Sequence, residues 1–272
     1  MARILVLGAL ALAGLVAGCG GSSEPVVPPS QIANAAFEST HGAGFKYALT
    51  VDASADGQDV SIDGRGAIDS RNKRGSMAMD VEGTTAQVLF DDPFIYVRTS
   101  DSGPWLRVKS DVYQQAQQSS GGGISGEATS DPSAVMKFLN SAQSVKKVGT
   151  ETVNGTPTTH YLAQVDFQKR LKTVAPSERK SDEQFLKLLK ASQGTTLLPI
   201  DVYVDDHKLV RRMGFKLDLC TTEGNVSVAL KFDFLDYGPQ TVPGLPHGEE
   251  VRDATDEFEN KANSTDFSQY SC

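Results

Sequence analysis

Positive charge is in short supply in this sequence: 26 Lys and Arg stand against 34 Asp and Glu, a formal net charge of −8 over 272 residues. Phosphate backbones are bound by clustered Lys and Arg, so the balance argues against nucleic acid as a partner. It argues equally against adsorption to anionic lipid through a basic face. Histidine is scarce as well. The four residues, His41, His160, His207 and His247, are scattered through a helix stop, a strand, an Asp-rich turn and a Pro/Gly exit. No G-x-S-x-G, H-E-x-x-H, C-x-x-C or P-loop occurs. Ser144–Lys147 and Ser177–Lys180 match S-x-x-K, but neither S-D-N nor K-T-G accompanies them. Asp205, Asp206 and His207 could touch a cation, yet they read better as a solvated β-turn. The expectation is a protein with no catalytic constellation, no metal site and no cofactor.

Long apolar runs are missing too, with one exception at the start. MARILVLGALALAGL carries one early charge, Arg3, and then an apolar stretch from Ile4 to Val16. That is too short and too rich in small residues for a membrane span, but it has the form of a secretory signal. Val16-Ala17-Gly18-Cys19 resembles a bacterial lipobox, in which the cysteine thiol is diacylated and becomes the mature N-terminus. Gly20, Gly21, Ser22, Ser23, Glu24 and Pro25 then have the composition of a flexible tether. Residues 1–18 are thus expected to be cleaved, and two acyl chains on Cys19 would hold the protein at the extracytoplasmic face of the cell membrane through a diacylglyceryl anchor.

Cysteine is nearly absent from the rest. With Cys19 acylated, Cys220 and Cys272 remain as an even pair in an exported, oxidising compartment, and a disulfide is the expectation. Closing that loop would contribute roughly 4 kcal/mol in the chain-entropy model. Two buried free thiols are the alternative.

What is present is mostly period two. After a helix beginning near Ser30 and stopping at Gly42, Phe45, Tyr47, Leu49 and Val51 alternate with Lys46, Ala48, Thr50 and Asp52. DVSIDGRGAID, GSMAMDVEG, TAQVLFDD, PFIYVRTS and WLRVKS continue a meander of hairpins broken by Asp, Pro, Gly and Ser. Residues 119–130 form a low-complexity loop. Asp131-Pro132 opens an expected helix through Val145 with Val135, Met136, Phe138, Leu139, Ala142 and Val145 on one stripe. A hairpin turning at Asn154-Gly155 follows. Next comes a helix capped by Ser181 and Gln184 and stopped by Gly194. Three last strands, LPIDVYVDD, KLVRRMGFKLDLC and NVSVALKFDFLDY, lead to a Pro-punctuated exit and an acidic tail. Roughly ten strands and two or three helices suggest one large curved sheet.

Several strands are apolar on both faces: Val88, Leu89 and Phe90; Phe94 to Val97; Val202, Tyr203 and Val204. Two apolar faces need two covers. A packed β-sandwich satisfies this, and so does a sheet covered by helices and a ligand.

Taken together the chain resembles the LolA/LolB superfamily of lipoprotein carriers, most of all its actinobacterial LppX/LprG type. The resemblance rests on Cys19 in its lipobox and on FDDPFIYVRTSDSGPWLRV at 90–108. It rests also on GTETVNGTPTTHYLAQVD at 149–166, with Gly149, Glu151, Gly155, Thr159, His160 and Tyr161. LPIDVYVDDHKLVRRMGF at 198–215 and DYGPQTVPGLP at 236–246 complete it. It implies an α+β fold, a curved antiparallel half-barrel with helices packed on it enclosing an apolar cavity, over residues 31–247. Residues 19–30 would be the lipidated tether and 248–272 an acidic tail pinned by the disulfide. The implied role is to bind a lipid or lipoglycan by its acyl chains and carry it across the envelope, with envelope transport proteins as partners. Related half-barrels also serve as sensors or protein-binding modules, which is the alternative role. The expected wall of the cavity is Val88, Phe90, Ile95 and Val97, with Tyr203, Phe215 and Leu217 opposite and Val135, Met136 and Leu139 as its roof.

Overall fold

The computed structural model describes residues 26–40, 44–55, 58–81, 83–100, 103–117, 134–174, 176–221 and 224–262. The expected leader, Cys19, the expected tether up to Pro25, the low-complexity region with its flanks (118–133) and Cys272 lie outside the described residues, as do the side chains of Cys220 and Val135.

Thirteen strands form one sheet in the order β1-β8-β9-β10-β11-β12-β2-β3-β4-β5-β6-β7-β13. The long ones are β2 (Gly44–Ala55), β3 (Gln58–Asp69), β4 (Arg74–Val81), β5 (Thr84–Asp91), β6 (Phe94–Arg98) and β7 (Trp105–Lys109), an unbroken meander. The second run is β8 (Ala142–Val153), β9 (Thr156–Asp166), β10 (Leu197–Asp205), β11 (Val210–Thr221) and β12 (Gly224–Tyr237). Pairing of β12 with β2 joins the two runs, so Phe234 lies opposite Tyr47 and Val228 opposite Ala53. All these pairs are antiparallel, and every β2–β7 hairpin expected from the alternation is present. Asn154 and Gly155, both with positive φ (49° and 81°), make the β8–β9 turn, the backbone an Asn-Gly hairpin favours. The result is a half-barrel, a curved sheet that among the described residues ends at β1 (Val26–Val27) and β13 (Val251–Asp253).

The helices are α1 (Pro29–Thr40), α2 (Ser110–Gln117), α3 (Ala134–Lys137), α4 (Phe167–Arg170), α5 (Pro176–Gln193) and α6 (Thr255–Ala262). Pro29 sits at the first helical position, where its missing N–H costs nothing. Ile32, Ala35 and Ser39 form the buried face of α1, and Ile32 and Ala35 join the same core as the concave face of the sheet. Ser39 Oγ donates to Ala35 O at 2.7 Å and accepts from the Val210 N–H at 2.8 Å, pinning the last turn of α1 to β11.

Three expectations are corrected. The helix expected over 131–145 is α3 plus a 3-10 turn, Phe138–Ser141, and β8 takes over at Ala142. Ala142 and Val145 suit either period, and backbone pairing with β9 decides for the strand. The tether ends sooner than residue 30: Val26 and Val27 pair with Lys146 and Val145 on β8. The acidic tail is folded through residue 262. β13 runs parallel to β7, pairing Val251 with Trp105 and Asp253 with Arg107, and α6 packs Phe258 against Tyr113 of α2 with 5.8 Å between ring centroids. The domain therefore spans at least residues 26–262.

Candidate functional site: the concave apolar face

Register fixes which side chains share the concave face. From Tyr47 it runs to Gly66 and Met77, then Val88, Val97 and Leu106. In the other direction it runs through Phe232 and Phe234 on β12 to Met213, Phe215 and Leu217 on β11, and on to Val202 of β10. Val88 pairs with Val97 and Phe90 with Ile95. The four residues expected as one wall are thus brought together on this face. Phe215 and Leu217 share it five strands away along the curve, paired with Leu230 and Val228. Met136 and Leu139 are buried in the same core.

Tyr203 is a correction. Alternation along β10 buries Val202 and Val204 and turns Tyr203 to the convex face, where its ring stacks on His160 with 4.3 Å between centroids. His160 Nε2 lies 2.6 Å from Asp201 Oδ1, and Arg212 pairs with Asp233 next to them. Partial burial, with Glu151 and Asp201 nearby, holds the Tyr203 phenol above its ordinary pKa. This ladder ties β9 to β12 on the outside and is no part of the apolar face.

The concave face changes character along its length. At the end carrying the β3–β4, β5–β6 and β10–β11 turns it is aromatic and closed. Phe45 and Phe234 meet at 5.4 Å, Tyr47 and Phe232 at 5.9 Å, and Phe45 and Tyr237 at 6.1 Å. The Tyr237 hydroxyl donates to Val210 O, and burial pushes its pKa well above the usual phenol value. Arg211 bridges to the buried Asp205 at 2.6 Å and lies over the Tyr237 ring.

Toward the β2–β3, β4–β5 and β11–β12 turns the side chains shrink. β2 reads Phe45, Tyr47, Leu49, Val51, Ala53, and β12 in reverse reads Phe234, Phe232, Leu230, Val228, Val226. Burial fades in step. Phe45, Tyr47 and Leu49 are each 1% exposed, Val51 and Ala53 are half-buried, and Val60 opposite Ala53 is 41% exposed. Ile62, Met79, Ala86, Leu219, Val226 and Val228 are half-buried around the same end. Water has access to an apolar face there, an open end, whereas single exposed apolar residues elsewhere need no explanation.

Val88, Phe90, Ile95 and Val97 were singled out from the sequence and lie on this face, whereas the β2, β4 and β12 residues were not, although the falling side-chain volume along β2 and β12 was the readable signal. Among the described residues no group of three His, Cys, Asp or Glu is placed to hold a metal, and no helix is long and apolar enough to cross a membrane.

The fold and this face define a class, the open antiparallel half-barrel with helices against its concave side. Within it the chain is similar to lipoprotein LppX of Mycobacterium tuberculosis, at 12% identity and TM-score 0.46, covering 79% of this chain and 99% of that one. It is similar also to LprF of Mycobacterium bovis, at 15% identity and TM-score 0.47 over 81% and 97% of the two chains. A LolA superfamily protein of Nitrosomonas europaea matches at 9% identity and TM-score 0.33, over 80% and 96%. By sequence, 140 residues are 29% identical to a 31.2 kDa protein of the rplA–rplJ intergenic region of Streptomyces griseus, covering 48% of this chain and 44% of that relative. The chain thus spans less than half the length of the curated relative it matches. No family model matches the chain.

Proposed function

We propose that this protein is an envelope lipoprotein, anchored through Cys19, that takes up the acyl chains of a lipid or lipoglycan at the open end of the half-barrel. The observation that carries the reading is the graded concave face, aromatic and closed at one end, aliphatic and half-exposed at the other. An acyl chain leaving a bilayer loses about 0.8 kcal/mol per CH₂ unless an apolar host replaces the membrane. Val51, Ala53, Ile62, Met79, Val226 and Val228 offer such a host with no polar group to desolvate. The aromatic layer below them sets a floor. Uptake by burial needs no cofactor, so direction of transfer would come from donor and acceptor partners.

A fatty acid carrying a terminal diazirine tests the site. Photolysis with the purified protein should place adducts on peptides containing Val51–Ala53, Ile62 and Val226–Val228. Adducts spread over the convex face, or none above a protein lacking the fold, would refute the proposal.

A further inference from the structure

The chain is acidic, but its charge is not evenly spread. Between residues 167 and 190 seven Lys and Arg face three Asp and Glu, a surplus of four cations in a molecule of net −8. These residues are the excursion α4–α5, inserted between β9 and β10. It leaves and rejoins the sheet at the open end, where Asp166 pairs with Leu197 and the Phe167 N–H donates to Thr196 O at 3.0 Å. One face of α5 is buried through Asp182, Phe185, Leu186 and Leu189. Asp182 holds Arg170 of α4 at 2.8 Å, and Phe185 lies 4.6 Å from Phe167, so α4 and α5 form one unit.

The other face is the informative one. Arg179, Glu183, Lys187 and Lys190 fall on a single stripe at helical spacing, and all four are exposed. Lys169 of α4 and Lys172 of the turn that follows it are also exposed. None of these five cations is in an ion pair among the described residues, so their charge is available to a partner. Elsewhere the described Lys and Arg are often neutralised, as in Lys46–Asp236, Arg107–Asp253 and Arg212–Asp233.

We propose that this face of α4–α5 docks on an anionic bilayer surface and sets the open end of the half-barrel against the lipid. Three observations choose a bilayer over other acidic partners. The patch borders the apolar opening. The chain enters the sheet close by, since Val27 pairs with Val145, which pairs with Ala163 four residues before Phe167. Counting back, Cys19 stands seven residues before Val26, which limits its reach to about 25 Å at full extension. An acylated Cys19 would therefore keep this side of the domain near the membrane, so the proposal leans on the anchored reading for its geometry. At the same open end the β2–β4 side carries exposed Asp52, Asp59, Asp63 and Asp80, which an anionic surface repels. Attraction at α4–α5 and repulsion at β2–β4 would tilt the domain, so that the α4–α5 side of the opening meets the lipid. The overall acidity noted in the sequence thus conceals a local basic face.

The test uses the mature chain from residue 19 with Cys19→Ala, which separates docking from anchoring. Flotation compares vesicles of phosphatidylcholine with vesicles containing about one-third phosphatidylglycerol, at low salt and at about 0.5 M salt, where screening is short-ranged. Binding is expected only to the anionic vesicles and only at low salt. Lys172→Glu, Lys187→Glu and Lys190→Glu together should weaken it roughly a hundredfold, about fivefold per cation removed. Arg65→Glu, Arg71→Glu and Lys231→Glu make the same change of net charge at other exposed positions and should leave binding within a few-fold. Equal binding to both vesicles, an unaffected triple variant, or an equal loss in the control variant overturns the proposal. None of those results touches the anchor, which membrane fractionation of the Cys19→Ala protein reads separately.

Discussion

Two close approaches show how single residues shape the interior. Tyr47 is buried over Gly66, where a Cβ would stand 2.5 Å from the Tyr47 hydroxyl oxygen, and its hydroxyl donates to Ser76 O at 3.1 Å. Gly66 is therefore the space in which the aromatic floor sits. At the other end of the sheet the Arg170–Asp182 pair is almost wholly buried, 5% and 3% exposed at the side chains, with the guanidinium also 4.6 Å from the Phe138 ring centre. Removing one charge of a buried pair costs more than the pair contributes, because the other charge stays desolvated. Asp182→Asn should therefore destabilise the fold by about 3 kcal/mol. Replacing both, Arg170→Met with Asp182→Leu, should recover much of that loss. Urea denaturation reads both; a loss below about 1 kcal/mol for the single variant would contradict the burial of the pair.

At the scale of elements, β13 and α6 convert an apparent tail into a cover for the β7 edge. Arg107 Nη2 donates to Asp253 Oδ2 at 2.8 Å, and Asp253 Oδ1 accepts from the Thr255 N–H at 3.0 Å, capping α6. The Arg107 hydrogen bond comes first among the causes that hold the Asp253 carboxyl down to about 2, below its ordinary 3.8. A carboxyl depressed in the folded state favours folding above its unfolded pKa, and that contribution fades as pH falls through the folded value. Asp253→Asn should lower Tm by about 1–3 °C near neutrality, the scale of an exposed pair. The gap to the unsubstituted protein should close between pH 4 and pH 2, and a gap that persists at pH 2 would contradict the capping role. These are also the elements that the sequence concealed. Strands β2–β7, the β8–β9 hairpin and β10–β12 were legible because their period is local and a short turn carrying Gly, Asp or Asn separates successive strands. β1 is two residues and β13 three, too short for any period, and β13 pairs with a strand 146 residues away. The helix expected over 131–145 fails for a related reason, since its stripe at Met136, Leu139, Ala142 and Val145 stays buried after the backbone switches to strand. Of the candidate site, Val88, Phe90, Ile95 and Val97 were readable as an apolar hairpin. Tyr203 was not, because β10 is apolar on both faces and only the sheet decides which one is concave.

At the scale of the whole molecule, three asymmetries coincide at one end. The concave face tapers from Phe and Tyr to Val and Ala, its burial fades, and the basic α4–α5 unit borders it. The point where the described chain begins, Val26, lies on the same side. Acyl-chain uptake at that end is the claim that gives these features one purpose. Native mass spectrometry of the mature protein, released from its own membrane in mild detergent, tests it most directly. The unsubstituted protein should carry a non-covalent lipid in addition to the mass of the Cys19 modification. Val51→Trp with Val228→Trp, which fills the open end above the aromatic floor, should leave the modification and the melting temperature in place and remove the bound lipid. A protein that carries no lipid before substitution, or the same lipid after it, would contradict the claim.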